Sequence, residues 1–283
     1  MDGDGLTLAQ FADRLGLNLS AILVIGLALH AALGVVERDA FSRLRPIAVG
    51  AALATLTFVA VRFLILLVQL GDGPGVIDFE LIALAWTVLG ASSVFIVGGA
   101  IAAVVGLWFG IRAACVIGAV AASLGFAFTG HTQGLADPGL APWALAAHVL
   151  IAGFWIAAPL NLFPADQLDD ATLAVRLRRF SAIAVAAIPL LVVLGVWLAL
   201  ILSGSVEALL TTAYGKLLLG KLAIGLAGMA IGALNKQILT RRLLASPPEA
   251  RRWLKASLRA EAALFLGAVV LISAATTFTG APL

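Results

Sequence analysis

The chain has 283 residues, 62% of them apolar and only 12% charged, and its mean hydropathy is +1.11. Soluble domains run near half apolar and about a quarter charged, so a water-soluble fold is excluded. A formal charge of +3 is too small to point to nucleic acid, and the one cysteine, Cys115, excludes an internal disulfide and any paired-cysteine metal or haem-attachment motif. What remains is an all-α polytopic membrane protein.

The opening Met1-Asp2-Gly3-Asp4 lacks the basic start of a secretory signal peptide, so the first apolar stretch reads as a retained helix. No Asp, Glu, Lys or Arg occurs from Leu15 to Val36, Leu81 to Ile111, Ala113 to Ala136, Pro138 to Ala165, Phe180 to Val206, or from Ala262 onward. About 20 mostly apolar residues suffice to cross the hydrocarbon core. In chain order the pattern predicts a bundle of eight transmembrane helices over 17–36, 46–70, 80–105, 109–130, 142–162, 180–203, 213–235 and 257–279. Pro46 opens the second, Gly71-Asp72-Gly73-Pro74-Gly75 closes it, and Pro247-Pro248 interrupts the seventh loop. The third and fourth share one long apolar run, split near Gly106 because about 50 residues exceed a single crossing.

The loops alternate in charge. Loop one carries Arg38, Arg43 and Arg45, loop three has Arg112, and loop five carries Arg176, Arg178 and Arg179. Loop seven carries Lys236, Arg241, Arg242, Arg251, Arg252 and Lys255, whereas the other side has only Arg14 and Lys216. The positive-inside rule makes the odd loops cytoplasmic and puts both termini on the periplasmic or exterior side of a bacterial inner membrane. No loop is long enough for a separate domain, so 1–283 reads as one integral-membrane domain. The partner implied throughout is membrane lipid, with the basic seventh loop drawn to anionic headgroups.

Ionisable groups inside a membrane are costly, so His30, Arg62, His131, His148, Lys221 and Glu261 are functional candidates. His131 lies in Thr129-Gly130-His131-Thr132, where the fourth helix emerges outside; His148 lies about 9 Å inward along the fifth. A short loop joins these helices, so the two imidazoles are expected to converge as ligands for copper, zinc or haem iron. The alternative is an interfacial His131 and a His148 that only bonds a neighbouring helix. His148, Ala152, Trp155 and Pro159 share one helix face. Arg62 and Lys221 lie near the same depth and would repel a cation unless a carboxylate offsets them; Lys221 is expected to snorkel outward, and Arg62 to meet a helix-end carbonyl or Glu80. His30, Cys115 and Met229 share an inner depth and form a possible second soft-metal station, the alternative being plain packing. Glu261 is expected to pair with Arg259 or Lys255. Gly215, Gly220, Gly225, Gly228 and Gly232 predict a central, closely packed seventh helix.

Three segments occur together: Thr129-Gly130-His131 followed by Ala147-His148 through Ile156; Arg179-Phe180-Ser181; and Tyr214-Gly215-Lys216 through Lys221, running to Asn235-Lys236 and then Leu258-Arg259-Ala260-Glu261. In order and spacing the set resembles the CopD copper-resistance family of bacterial inner-membrane proteins, with a CopD-like core at about 175–280 and outlying elements back to about 129. The resemblance implies copper ion transport across the membrane, in uptake or resistance, alongside a periplasmic copper-binding protein. The chain departs from what copper handling favours in having no methionine-rich or histidine-rich tract. Two other functions compete: a haem-binding redox protein of the four-helix cytochrome type, and a non-transporting accessory membrane subunit. No Ser-His-Asp set, carboxylate pair, P-loop or Rossmann fingerprint is present, so the ordinary enzyme classes are set aside.

Overall fold

The computed structural model describes residues 3–71, 78–162, 168–239 and 247–279; the expected turn at 72–75 and the loop residues Arg241 and Arg242 lie outside them. Ten α-helices and no strand are formed among the described residues: α1 Gly3–Ala32, α2 Phe41–Leu70, α3 Phe79–Phe109, α4 Arg112–Leu124, α5 Ala141–Ile156, α6 Ala158–Leu162, α7 Asp170–Ser203, α8 Val206–Thr211, α9 Ala213–Leu234 and α10 Pro247–Ala274. Seven spans among the described residues are long and apolar enough to cross a membrane, α5 and α6 counting together. The fourth expected span is shorter, α4 continued by a 3-10 turn over Gly125–Phe128, rising about 27 Å in all.

Local chemistry sets the ends. Asp78 caps α3 by accepting from the Leu81 amide at 2.8 Å. The long apolar run breaks at Gly110, four residues beyond the expected Gly106, because Gly110 takes the left-handed conformation (φ 68°) that reverses the chain into α4. Asp169 caps α7 through both the amide and the hydroxyl of Thr172, and these bonds hold its carboxyl below the usual range. Ser205 and Thr212 cap α8 and α9 in the same way. The expected 142–162 helix is interrupted at Ala157 because Pro159 has no N–H for the Trp155 carbonyl. Pro46, in contrast, sits inside α2, which starts at Phe41. The ends of α1, α7 and α10 also run beyond the expected bounds into polar sequence: a helix continues past the hydrocarbon while caps and ion pairs satisfy it.

The buried axis is α1, packed on α2, α3, α4, α5 and α10. Its apolar window is 67% buried, against 11% for that of α9. This corrects the expectation of a central glycine-rich helix: side chains at Gly225 and Gly232 would meet open space. The close approach is instead between α1 and α5, where any side chain at Gly26 would overlap the Gly153 carbonyl oxygen. The main core cluster fills this region with residues such as Ile25, Leu27, Ala28, Ala103, Leu107, Cys115 and Phe154. Large apolar side chains, among them Leu64, Val94, Ile117 and Val193, are exposed around the bundle and form its lipid-facing surface.

One end of the bundle gathers the odd loops. Arg45 donates to the Leu107 and Trp108 carbonyls, Arg176 pairs with Glu37 at 2.8 Å, Arg179 donates to the Gly34 carbonyl, and Arg251 pairs with Asp170 at 2.6 Å. Loops one, three, five and seven are thus cross-linked on a single face. The helix ends near both termini meet at the other: the Phe11 and Phe278 rings touch at a tilt with centroids 5.3 Å apart, and Arg14 donates to the Thr276 carbonyl. This is the clustering that the alternating charge requires.

Candidate functional site

The candidate site follows the seam between α1–α5 and α7–α10. The α5 face carrying His148, Ala152 and Trp155 is turned into this seam, as its spacing indicates. A side chain at Gly195 of α7 would come within 3.1 Å of His148 Cε1; the Trp155 ring lies edge-on to Phe265 of α10 at 4.9 Å, and against Gly228 of α9. Leu191, Met229 and Phe265 complete an apolar cluster around Trp155. His148 Nδ1 is buried with no hydrogen-bond partner. Lys221 of α9 is close enough to act on His148 electrostatically and forms no ion pair among the described residues.

His131 lies nearer the outer end, half-buried, its ring edge-on to Tyr214 at 6.0 Å. Burial holds its pKa below the ordinary histidine value and the Arg14 charge lowers it further, against a hydrogen bond with the Thr276 backbone that raises it. Tyr214, beside His131, and Lys221, beside His148, are seven residues apart on α9, about 10 Å. The α9 neighbours of the two imidazoles thus stand about two turns apart along the seam.

The residues of the expected inner station are separated. His30 Nε2 donates to the Phe154 carbonyl at 2.7 Å, and Nδ1 accepts from Asn161 Nδ2 at 2.7 Å. With both nitrogens engaged, neutral His30 fastens α1 to α5 and α6, and no lone pair is left for a metal. Cys115 is fully buried in the core between α3 and α4, facing Gly106, and Met229 packs with the Trp155 cluster. No group of three or more His, Cys, Asp or Glu side chains suited to a metal ion is formed among the described residues.

Sequence reasoning missed Asp13. The charge-free run begins at Leu15, which assigned Asp13 and Arg14 to the aqueous flank; α1 starts at Gly3 and carries them into the bundle. Asp13 is 3% exposed, its Oδ1 has no partner, and Arg62 and Arg14 both act on it electrostatically. Arg62 donates to Thr129 Oγ1 at 3.0 Å, where Glu80 or a carbonyl was expected. The buried Thr132 and Tyr214 hydroxyls also lack partners. The outer end thus holds two guanidinium groups, a carboxylate, an imidazole and unpaired hydroxyls, and the carboxylate offsets part of the cationic charge that would repel a metal. A signal for it was present in the adjacent Asp13-Arg14 pair and in an α1 pattern that continues N-terminal to Leu15.

Glu261 is likewise 3% exposed and accepts from Asn235 Nδ2 at 2.9 Å, where Arg259 or Lys255 was expected.

No curated protein and no solved structure matches the chain. The half of the seam that faces His148 is contributed by α7, α9 and α10. Residues 174–276, which hold most of these helices, match the family described as CopD, Copper resistance protein D.

Proposed function

We propose that this protein moves copper across a bacterial cytoplasmic membrane, taking the ion at His131 on the outer face and passing it to His148 within the seam. The observation that carries the reading is the unpartnered Nδ1 of His148. A buried imidazole nitrogen with no hydrogen bond retains a lone pair for a soft or borderline metal, and leaving it unused is costly in an apolar setting. His30 makes the contrast, since both its nitrogens are occupied.

The reading is also supported by the match to the copper-resistance family, whose residues 174–276 supply the wall opposite His148. Two single-histidine levels suit a carrier better than a storage site, because an ion bound by few ligands is also released. Asp13 reduces the electrostatic barrier set by Arg14 and Arg62 at the outer end. By the basic odd loops, the His131 end faces the periplasm, where a copper-binding protein would deliver the ion.

The test is copper accumulation in cells expressing the wild type, His131→Ala or His148→Ala at matched membrane levels. Accumulation that falls about tenfold in His148→Ala, and less steeply in His131→Ala, supports the path. Accumulation equal to wild type in both variants excludes it.

A further inference from the structure

The two buried carboxylates among the described residues, Asp13 and Glu261, lie toward opposite ends of the bundle. Asp13 has arginines on either side; Glu261 is in a different setting. Its hydrogen-bond donor is the neutral amide of Asn235, the first residue of a π-helical turn, Asn235–Leu239, that continues α9. Such turns interrupt regular pairing and concentrate at functional sites. Beside the carboxylate is a cavity of about 40 Å³, lined among others by Glu261, Asn235, Lys236 and Ser181. About 10–15 Å³ admits a water when polar partners surround it, so this cavity is large and polar enough to be wet.

From this geometry we infer that Glu261 is a proton-binding site at the cytoplasmic end, exchanging its proton through the water-sized cavity with the cytoplasm. A carboxylate in an apolar bundle, bonded to a neutral amide, is stabilised by taking a proton. The same Asn235 donor serves both forms, accepted by the carboxylate or by the acid's carbonyl oxygen, so the hydrogen bond survives the exchange. The groups that face the carboxylate are Asn235 and Lys236 from the segment continuing α9 and Ser181 from α7; α6 contributes only the apolar Ala158 and Leu162. Lys236 is the other charged group on this cavity, and it favours the ionised form when its ammonium turns inward. Glu261 is thus a two-state group at the α9–α10 contact, where a change of charge alters how these helices pack. Resting on the copper-carrier reading, the inference extends to coupling: copper crossing is accompanied by proton exchange at Glu261.

Infrared difference spectroscopy of the purified full-length protein tests proton binding without any reference to copper. Subtracting the Glu261→Gln spectrum from that of the wild type, which removes the bands of Asp13 and the other carboxyl groups, is expected to leave a deuterium-sensitive carboxyl C=O band that grows as pH falls. The side-chain amide of the Glu261→Gln variant is isosteric with the acid and still accepts from Asn235, so the fold is retained. The absence of a band from that difference overturns the site. In proteoliposomes holding a pH-sensitive dye, copper addition is expected to move protons with the wild type and at least about fivefold fewer per copper with Glu261→Gln. An unchanged ratio overturns the coupling. A wild type that carries no copper yet retains the infrared band would sink the carrier reading and leave the proton site standing.

Discussion

At the scale of single residues, the three histidines show how burial alone fails to identify a ligand. His30 is completely buried, yet it is a structural fastener because the Phe154 carbonyl and Asn161 use both ring nitrogens. His30→Ala should therefore leave copper content unchanged while lowering stability by about 2 kcal/mol, through the unpaired groups it leaves behind; unfolding in detergent followed by metal analysis separates these effects. His148 has the opposite character, and its position depends on the absence of a side chain at Gly195. A methyl group there would press on the imidazole at 3.1 Å, so Gly195→Ala is expected to weaken copper binding by about tenfold with little loss of helix content. Unaltered copper affinity in Gly195→Ala would mean that the His148 ring position does not matter.

At the scale of elements, the sequence made the helices legible and their neighbours less so. Length and apolarity located the seven helices long enough to cross lipid among the described residues, since a helix that satisfies its own backbone is the simplest way to cross it, while the fourth expected span is shorter. Helix ends were less visible: α1 reaches back to Gly3 across charged residues, and this hid Asp13. Helix packing was misread from glycine content, because glycine permits close approach without showing where it occurs. The contrast gives an expectation for stability. Gly26→Val should cost about 3 kcal/mol, since the new side chain meets the α5 backbone, whereas Gly225→Ala should stay within about 1 kcal/mol and tend toward stabilisation. Detergent-solubilised thermal denaturation of both variants reads this directly; equal losses would contradict α1 as the buried axis. The seam-facing side of α5 was readable from the spacing of His148, Ala152 and Trp155. The approach of His131 to Tyr214 was not, because it depends on how the loop after Phe128 folds back toward α9.

At the scale of the whole molecule, charge and geometry agree on two faces. Cross-links among Glu37, Arg176, Asp170 and Arg251 gather the basic loops, and the helix ends near the termini meet opposite them. Because Cys115 is fully buried, single introduced cysteines can report the topology without background. A membrane-impermeant maleimide is expected to label Asp137→Cys in cells with a permeable outer membrane, and Asp39→Cys only after the inner membrane is opened. The reverse pattern would invert the orientation and turn the His131 level toward the cytoplasm. The match to the family described as Copper resistance protein D covers residues 174–276 in the second half of the bundle, while His131 and His148 come from the first. A path for copper would therefore be assembled across the seam by both halves. The most direct measurement is the metal content and absorption spectrum of the purified, copper-loaded protein, wild type beside His131→Ala and His148→Ala. Copper retained by the wild type and lost from both variants is the expected result; a wild type that stays copper-free, or one that shows a haem spectrum, would contradict a histidine-lined copper path.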